Sequence, residues 1–150
     1  MPPTVRAATA ADEAAVLDLT EELLAPPGGR PPFYTRAKGA AAFAHAVTAP
    51  DAAVLLALDG LDAVGFVSVY RDIRSIRFGP RCWVEDLVVT AARRSQGIGA
   101  ALLAAADAWA RAHGCTHLEL ASGTKRTDAH RFYRAQGMRE ESLLFTRWLA

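Results

Sequence analysis

The chain has 150 residues, of which 51% are hydrophobic and 22% are charged, and its net charge is +1. This length and composition are typical of one globular domain, expected here to span residues 1–150, and they exclude a largely disordered chain. The near-neutral charge provides no electrostatic basis for nucleic acid or an anionic membrane as the main partner.

Three further features bear on the compartment. No apolar run reaches the roughly 18 residues that a membrane-spanning helix needs. The N-terminus lacks the charged start and apolar core of a signal peptide. Two cysteines, Cys82 and Cys115, are more typical of a reducing cytosol than of a disulfide-linked scaffold. Together they predict a cytoplasmic protein.

The first third of the chain predicts a short strand and two helices. The strand is TVRAAT, and Thr9 is a favourable N-cap for the first helix. Asp12 and Glu13 then lie in the first turn, where the helix dipole favours negative charge. The sequence APPGGRPP ends this helix, because prolines and glycines cannot continue it. A second, Ala-rich helix is predicted from about Arg36 to Val47.

The rest of the chain predicts strands and helices in alternation. AAVLLALDG, AVGFVSVYRD and CWVEDLVV are predicted to form an antiparallel meander. A long helix follows the loop RRSQGIG and ends near His113-Gly114. THLELA is a strand, DAHRFYRAQG a short helix capped by Gly137, and LLFTRWL a closing strand. The order predicts a mixed α/β domain. The apolar side of the long helix is formed by Ile98, Leu102, Ala105, Trp109 and Ala112.

The loop RRSQGIG between a strand and a helix is the most informative stretch. Helix N-termini leave amides unpaired, and glycines at 97 and 99 would let a polyphosphate approach them. The alternative is a tight turn with solvated arginines. A Walker loop is excluded because no Lys-Ser/Thr follows the last glycine. A dinucleotide fingerprint is excluded because Leu102 occupies its third glycine position.

Three segments together resemble the GNAT acetyltransferase superfamily. Its acetyl-CoA loop, Arg/Gln-x-x-Gly-x-Gly/Ala, corresponds to residues 94–99, and WVEDLVV is similar to the strand before that loop. The late segment AHRFYRAQGM is similar to its Ala-x-x-x-Tyr-x-x-x-Gly-Phe motif. The departures are Ser95 and Met138, where glycine and an aromatic are common, and Arg126, where asparagine is common.

The resemblance implies a mostly antiparallel central sheet flanked by helices, with acetyl-CoA as co-substrate and no metal. It places the pyrophosphate on the amides from Gln96 to Ala100 and the pantetheine along the strand Leu87–Val89, like an added strand. One amide of that strand would bind the acetyl oxygen. The cofactor-binding residues implied are Leu87, Val88, Val89, Arg94, Ser95, Gln96, Gly97, Ile98, Gly99 and Ala100.

Two side chains are candidates for proton transfer. Strand alternation places Glu85 with Trp83 and Leu87, and Asp86 on the other side. In the family the first of these faces looks onto the acceptor, so Glu85 is the preferred base, acting through a water. Tyr133 is the candidate proton donor to the leaving thiolate. Both have a purely structural alternative, a salt-bridged acid and a packed tyrosine.

The predicted activity is N-acetylation of a small primary amine, with a homodimer as the possible assembly. A peptide N-terminus or a protein lysine is a less favoured acceptor. Alternatives from other classes are an acyl-CoA sensor without turnover and a nucleotide-binding protein that uses the same loop. The four histidines have no metal-ligand spacing.

Overall fold

A computed structural model describes residues 2–149, so Met1 and Ala150 of the predicted domain lie outside the described residues. Five strands and four α-helices alternate in nearly the predicted order. In chain order they are β1 (Thr4–Ala7), α1 (Glu13–Leu24), α2 (Arg36–Ala46), β2 (Ala52–Asp59), β3 (Asp62–Ser75), β4 (Gly79–Val89), α3 (Ile98–Ala112), β5 (His117–Leu120) and α4 (Thr127–Ala135).

The strands form one sheet in the order β1-β2-β3-β4-β5. All neighbours are antiparallel except β4 and β5, which are parallel. This confirms the predicted meander and the predicted α/β class with a mostly antiparallel sheet. The connection between β4 and β5 contains α3, as a parallel pair requires a crossover.

Each face of the sheet has its own buried core. Alternate residues of β2 and β3 point to opposite faces, as the pleat requires. Leu56 and Phe66 pack with Val16, Leu19 and Phe43 of the first two helices. On the other face, Ile98 and Leu102 of α3 pack against Val67, Val69 and Val84 of the sheet. Both α3 side chains are almost fully buried.

The N-terminal helix starts later than its cap predicts. A 3₁₀ turn, Ala10–Asp12, lies between Thr9 and α1. The Thr9 amide donates to Asp12 Oδ2 over 2.7 Å, and Arg6 Nη1 donates to the same oxygen over 2.8 Å. These bonds, with the one from Arg6 dominant, lower the pKa of Asp12 to about 2. The carboxylate therefore ties β1 to the start of the helix.

The predicted closing strand LLFTRWL is wrong. Residues 139–149 are irregular and pair with no strand, and their large apolar side chains are exposed to solvent. The apolar pattern alone favours a strand, but a strand also needs a neighbour for its backbone groups. Between residues 2 and 149, no helix is both long and apolar enough to cross a membrane.

The Leu102 side chain tests the core on the α3 face, because none of its surface is exposed. We expect Leu102→Ala to lower the free energy of unfolding by about 2–5 kcal/mol, through lost burial and a cavity. Urea unfolding followed by circular dichroism measures the difference. Leu61→Ala is the matched control, since Leu61 is 99% exposed and should change stability by no more than about 0.5 kcal/mol. Equal effects of the two variants would contradict this packing.

Candidate active site

A cleft opens where β4 and β5 separate. The two strands pair only from Arg81–His117 to Val84–Leu120, whereas β4 continues to Val89. Beyond residue 84, the side of β4 that faces β5 therefore has no strand partner within residues 2–149. The cleft has a volume of about 180 Å³. It is lined by Leu23 and Leu24 of α1, residues 84–87 of β4, residues 120–123, and Arg126, Ala129 and Tyr133.

A β-bulge in β4 decides which side chains reach this cleft. Ser68 pairs with Asp86 and Val69 pairs with Val84, so Glu85 is an extra residue without an opposite partner. The bulge reverses the alternation of the strand from this point on. Leu87 and Val84 both pack in the cluster on the α3 side of the sheet. Uninterrupted alternation would place them on opposite faces, because their positions differ by an odd number.

The predicted grouping of Glu85 with Leu87 is consequently wrong, whereas the predicted grouping of Glu85 with Trp83 agrees with the hydrogen bond between their side chains. Asp86 shares its face with Val88, which packs in the cluster beneath α1 and α2. Glu85 shares no face with Leu87, because it is the bulged residue itself. Uninterrupted alternation, which the sequence argument assumed, does not hold across residues 84–86.

Asp86 is the most perturbed acid in the cleft. Its pKa is raised to about 6, mainly by burial and also by the charge of Glu85, while Arg126 opposes the rise. Its amide donates to Ser68 Oγ over 3.1 Å. Ser68 is 5% exposed and lies opposite the bulge. Because the register shift displaces the Asp86 amide from its regular position in the ladder, the Ser68 hydroxyl supplies its hydrogen-bond partner.

Glu85 lies at the rim of the cleft. Its side chain is exposed, and the indole Nε1 of Trp83 donates to Glu85 Oε2 over 2.6 Å. The Trp83 ring is itself covered by the guanidinium of Arg81, 5.0 Å from the ring centroid. The neighbouring indole thus holds one carboxylate oxygen of this exposed side chain.

Tyr133 closes the cleft from the side of α4. Burial raises the pKa of its phenol, and Arg126 and Asp86 act in opposite directions on it. The cleft lining therefore includes Tyr133 together with Glu85, the acid that the sequence analysis preferred, and Asp86, which it did not. A phenol with a raised pKa stays protonated at neutral pH and remains a hydrogen-bond donor.

Arg126 connects the two walls of the cleft. Its Nη2 donates to the carbonyl oxygen of Leu23, at the end of α1, over 2.8 Å. A Cβ on Gly28 would lie only 2.4 Å from the same nitrogen. Arg126 therefore holds the end of α1 and the loop that follows it against the start of α4, a contact that sequence reasoning missed.

The loop before α3 has the backbone geometry expected of an anion site. Gly97 is the N-cap of α3, with a φ of 82°, and Ser95 also has a positive φ of 62°. The first helical hydrogen bond runs from the Ala101 amide to the Gly97 carbonyl oxygen. The amides of residues 98–100 therefore have no partner within the helix.

The two glycines of the loop have different surroundings. A Cβ on Gly97 would meet open space, so its positive φ is what requires glycine. A Cβ on Gly99 would lie 3.2 Å from the Phe132 ring of α4. Gly99 allows the close packing of α4 on α3.

The two arginines of the loop differ in the partners that their guanidinium groups already have. Arg93 pairs with Asp59 over 2.6 Å, and its Nε donates to Gln96 Oε1 over 3.0 Å. Arg94 is exposed and donates one bond, from Nε to the carbonyl oxygen of Val89 over 3.1 Å. Arg94 is therefore better placed than Arg93 to meet an anion at the loop.

Other candidate groups lie away from the cleft. Cys82 and Cys115 are unpaired, and burial raises the pKa of the Cys82 thiol to about 12. Within the described part of the chain, no group of three or more histidine, cysteine, aspartate or glutamate side chains is arranged to hold a metal ion.

The packing of Gly99 against Phe132 predicts a coupled stability effect. We expect Gly99→Leu to destabilise the protein by about 1–3 kcal/mol through overlap with the ring. In a Phe132→Ala background this cost should fall by at least about 1 kcal/mol, measured by urea unfolding in a double-mutant cycle. Gly97→Ala is the control, because its cost comes from its positive φ and should be equal in both backgrounds. An uncoupled Gly99→Leu would contradict the contact.

Comparison with known proteins places this geometry in context. Residues 16–138 match the Acetyltransferase (GNAT) family. The chain is 49% identical over 72 residues to the uncharacterized N-acetyltransferase YhdJ of Bacillus subtilis, an alignment that covers 47% of this chain and about half, 51%, of that protein. It is 35% identical over 107 residues to the aminoalkylphosphonate N-acetyltransferase of Salmonella typhimurium, covering 71% of this chain and 70% of the relative.

The fold is shared with solved structures over its whole length. The structure of AAC(6')-Iy in complex with a bisubstrate analogue, CoA-S-monomethyl-acetylneamine, superimposes with a TM-score of 0.84 at 19% identity and covers 100% of both chains. The predicted fold is confirmed by this superposition, and the match over residues 16–138 confirms the predicted acetyltransferase family. The chain belongs to the GNAT family of acetyltransferases.

Proposed function

We propose that the protein transfers the acetyl group of acetyl-CoA directly to a primary amine of a small molecule, with both substrates bound together. The observation that carries this proposal is the cleft lined by both Asp86 and Tyr133, on the strand β4 that leads into the loop before α3. A proton acceptor, a proton donor and an anion-binding loop are the three parts that acetyl transfer to an ammonium requires.

The residues present fit acetyl-CoA. The amides of residues 98–100, together with the positive φ of Gly97, suit the pyrophosphate, and Arg94 adds charge. Ser95, Gln96 and the unpaired side of Leu87–Val89 fit the rest of the implied contact set, except that Arg94 already occupies the carbonyl oxygen of Val89. When bound, acetyl-CoA supplies a thioester carbonyl and a thiolate leaving group.

Asp86 and Glu85 act in sequence to remove the proton of the substrate ammonium. Asp86 lies within the cleft with a pKa near neutrality, so it accepts the proton of the substrate ammonium. Glu85 is exposed at the rim, beside Asp86 in sequence, and passes this proton to solvent through water. In this proposal Glu85 acts one step away from the amine, whereas the sequence analysis predicts it as the base.

Tyr133 serves the leaving group. Its hydroxyl remains protonated at neutral pH, since burial raises its pKa. That rise makes complete transfer to a free thiolate less favourable, so Tyr133 acts by donating a hydrogen bond to the sulfur as the thioester breaks. Ser68 accepts a hydrogen bond from the Asp86 amide and so positions Asp86 by fixing the bulge.

The cleft favours a small cationic acceptor. Two adjacent acids attract an ammonium group, and a volume of about 180 Å³ suits a small molecule. The relatives support this choice, since one is named for aminoalkylphosphonate acetylation and another, from Klebsiella aerogenes, for aminoglycoside N(6')-acetylation. A peptide N-terminus or protein lysine is the second choice, and the cytoplasm remains the expected compartment.

The pH dependence of catalysis tests the acid pair. Because Asp86 must be deprotonated to accept a proton, kcat/KM should rise with pH through a limb near pH 6 and level off above it. Asp86→Asn should remove this limb and lower kcat/KM by roughly 10²–10⁴-fold.

Glu85→Gln is the matched control for that test. It should keep the limb but move it to lower pH, because the charge of Glu85 raises the pKa of Asp86. An Asp86→Asn enzyme that retains both the limb and the rate would return the role of direct base to Glu85.

Turnover separates the enzyme from a sensor. We expect release of free CoA thiol when acetyl-CoA is mixed with a panel of aminoalkylphosphonates, amino acids, polyamines and aminoglycosides. Tyr133→Phe should lower kcat at least about 10-fold while calorimetry shows unchanged CoA binding, because the phenol acts only at the sulfur.

Tight CoA binding without thiol release across the panel, and with no change in Glu85→Gln, would favour the sensor. Competition by ATP or NAD at equal affinity would favour a nucleotide-binding protein.

A further inference from the structure

Arg126 is the single basic residue among those that line the cleft, whose other charged side chains are the acids Glu85 and Asp86. It also departs from the family pattern, in which asparagine is common at this position. A charge in a half-buried cleft loses part of its hydration, and this loss is costly unless a partner compensates it. The partners of the Arg126 guanidinium therefore indicate what it does.

The contact with α1 uses only part of this guanidinium. Of its five N–H groups, one on Nη2 donates to the carbonyl oxygen of Leu23, and within residues 2–149 its side chain makes no other hydrogen bond. None of the ion pairs in that range includes Arg126. Solvent reaches the Nε and Nη1 nitrogens, which are not among the buried polar atoms without a partner. Most of the donors of Arg126 are thus free to bind a ligand.

The two acids of the cleft do not neutralise this charge by contact. Glu85 Oε2 instead accepts a hydrogen bond from the indole of Trp83. The charge of Arg126 lowers the pKa of Asp86 and that of Tyr133 against the rise caused by burial, so it acts on both groups through space. The cleft therefore has an acidic side and a separate basic side.

Arg126 lies at the wall that the end of α1 and the following loop form. Its Nη2 bonds to Leu23, and a Cβ on Gly28 of that loop would lie 2.4 Å from the same nitrogen. The anion-binding loop before α3 has a cation of its own, the exposed Arg94. The charge of Arg126 is consequently available to a ligand other than the pyrophosphate.

We propose that the acceptor amine carries an acidic group, a carboxylate or a phosphonate, which Arg126 binds while the ammonium group lies at Asp86. This inference rests on the proposed function and narrows its acceptor to a zwitterion. Paired N–H groups of a guanidinium match the oxygens of such an anion. Opposite charges on the two sides of a cleft of about 180 Å³ then orient a small molecule with its amine toward the thioester. A diamine would instead place a like charge beside Arg126.

Rates of thiol release from acetyl-CoA with matched amines test the acidic group. Each amino acid is compared with the alkylamine in which a methyl group replaces its carboxylate: glycine with ethylamine, β-alanine with propylamine, and 4-aminobutanoate with butylamine. A further comparison, 2-aminoethylphosphonate with propylamine, distinguishes phosphonate from carboxylate. For the best acidic amine, kcat/KM should exceed that of its alkylamine by about 10- to 100-fold, the effect of a charge-assisted hydrogen bond.

Arg126→Gln should reduce this preference to about twofold or less, because it removes the charge that binds the acidic group. Loss of the bond to Leu23 affects both amines of a pair alike, so the ratio separates recognition of the anion from support of α1. Calorimetry should show unchanged CoA binding in this variant. Lys125→Gln is the matched control, since it removes a neighbouring exposed cation outside the cleft lining and should keep the preference.

Turnover without preference for the acidic member of any pair would overturn this inference and leave the proposed function intact. An Arg126→Gln enzyme that keeps the preference would also overturn it. So would one that loses CoA binding, because Arg126 would then serve the cofactor. Absence of thiol release with every amine would instead overturn the proposed function, and this inference with it.

Discussion

The register of β4 against β3 determines the chemistry available in the cleft. One extra residue, Glu85, lies between the pairs Val69–Val84 and Ser68–Asp86, and it turns every later side chain of the strand to the opposite face. Leu87 and Val89 consequently pack toward α3, and Asp86 faces the cleft. The buried hydroxyl of Ser68 accepts the Asp86 amide and supports this register.

The separation of β4 from β5 provides the second constraint. Parallel pairing ends at Leu120, and the chain then leaves the sheet toward α4. The same departure creates the space for a ligand and brings Tyr133 across from Asp86. Arg126 keeps the opposite wall, the end of α1, in place by its bond to Leu23. The site therefore depends on elements from the whole chain, which agrees with a fold that is conserved at 19% identity.

Much of the fold follows from the sequence, because apolar periodicity and caps mark α3, the meander and the loop before α3 clearly. The bulge does not. In WVEDLVV, apolar residues flank the two acids on both parities, so hydrophobic alternation cannot show where a residue is inserted. The absent closing strand has a related cause, since apolar character shows that a segment needs burial but not which surface supplies it. The packing of Gly99 on Phe132 is equally invisible without the tertiary arrangement.

That last contact links two parts of the molecule that are usually considered apart. Phe132 rests on the first turn of α3, and the next residue of α4 is Tyr133, at the cleft. A methyl group added at residue 99 would require the Phe132 ring to move by a few tenths of an ångström, so the positions of the loop and of α4 depend on each other. A change at the start of α3 that displaces the Phe132 ring would therefore also shift Tyr133, and the coupling free energy between the two places would be the same in both directions.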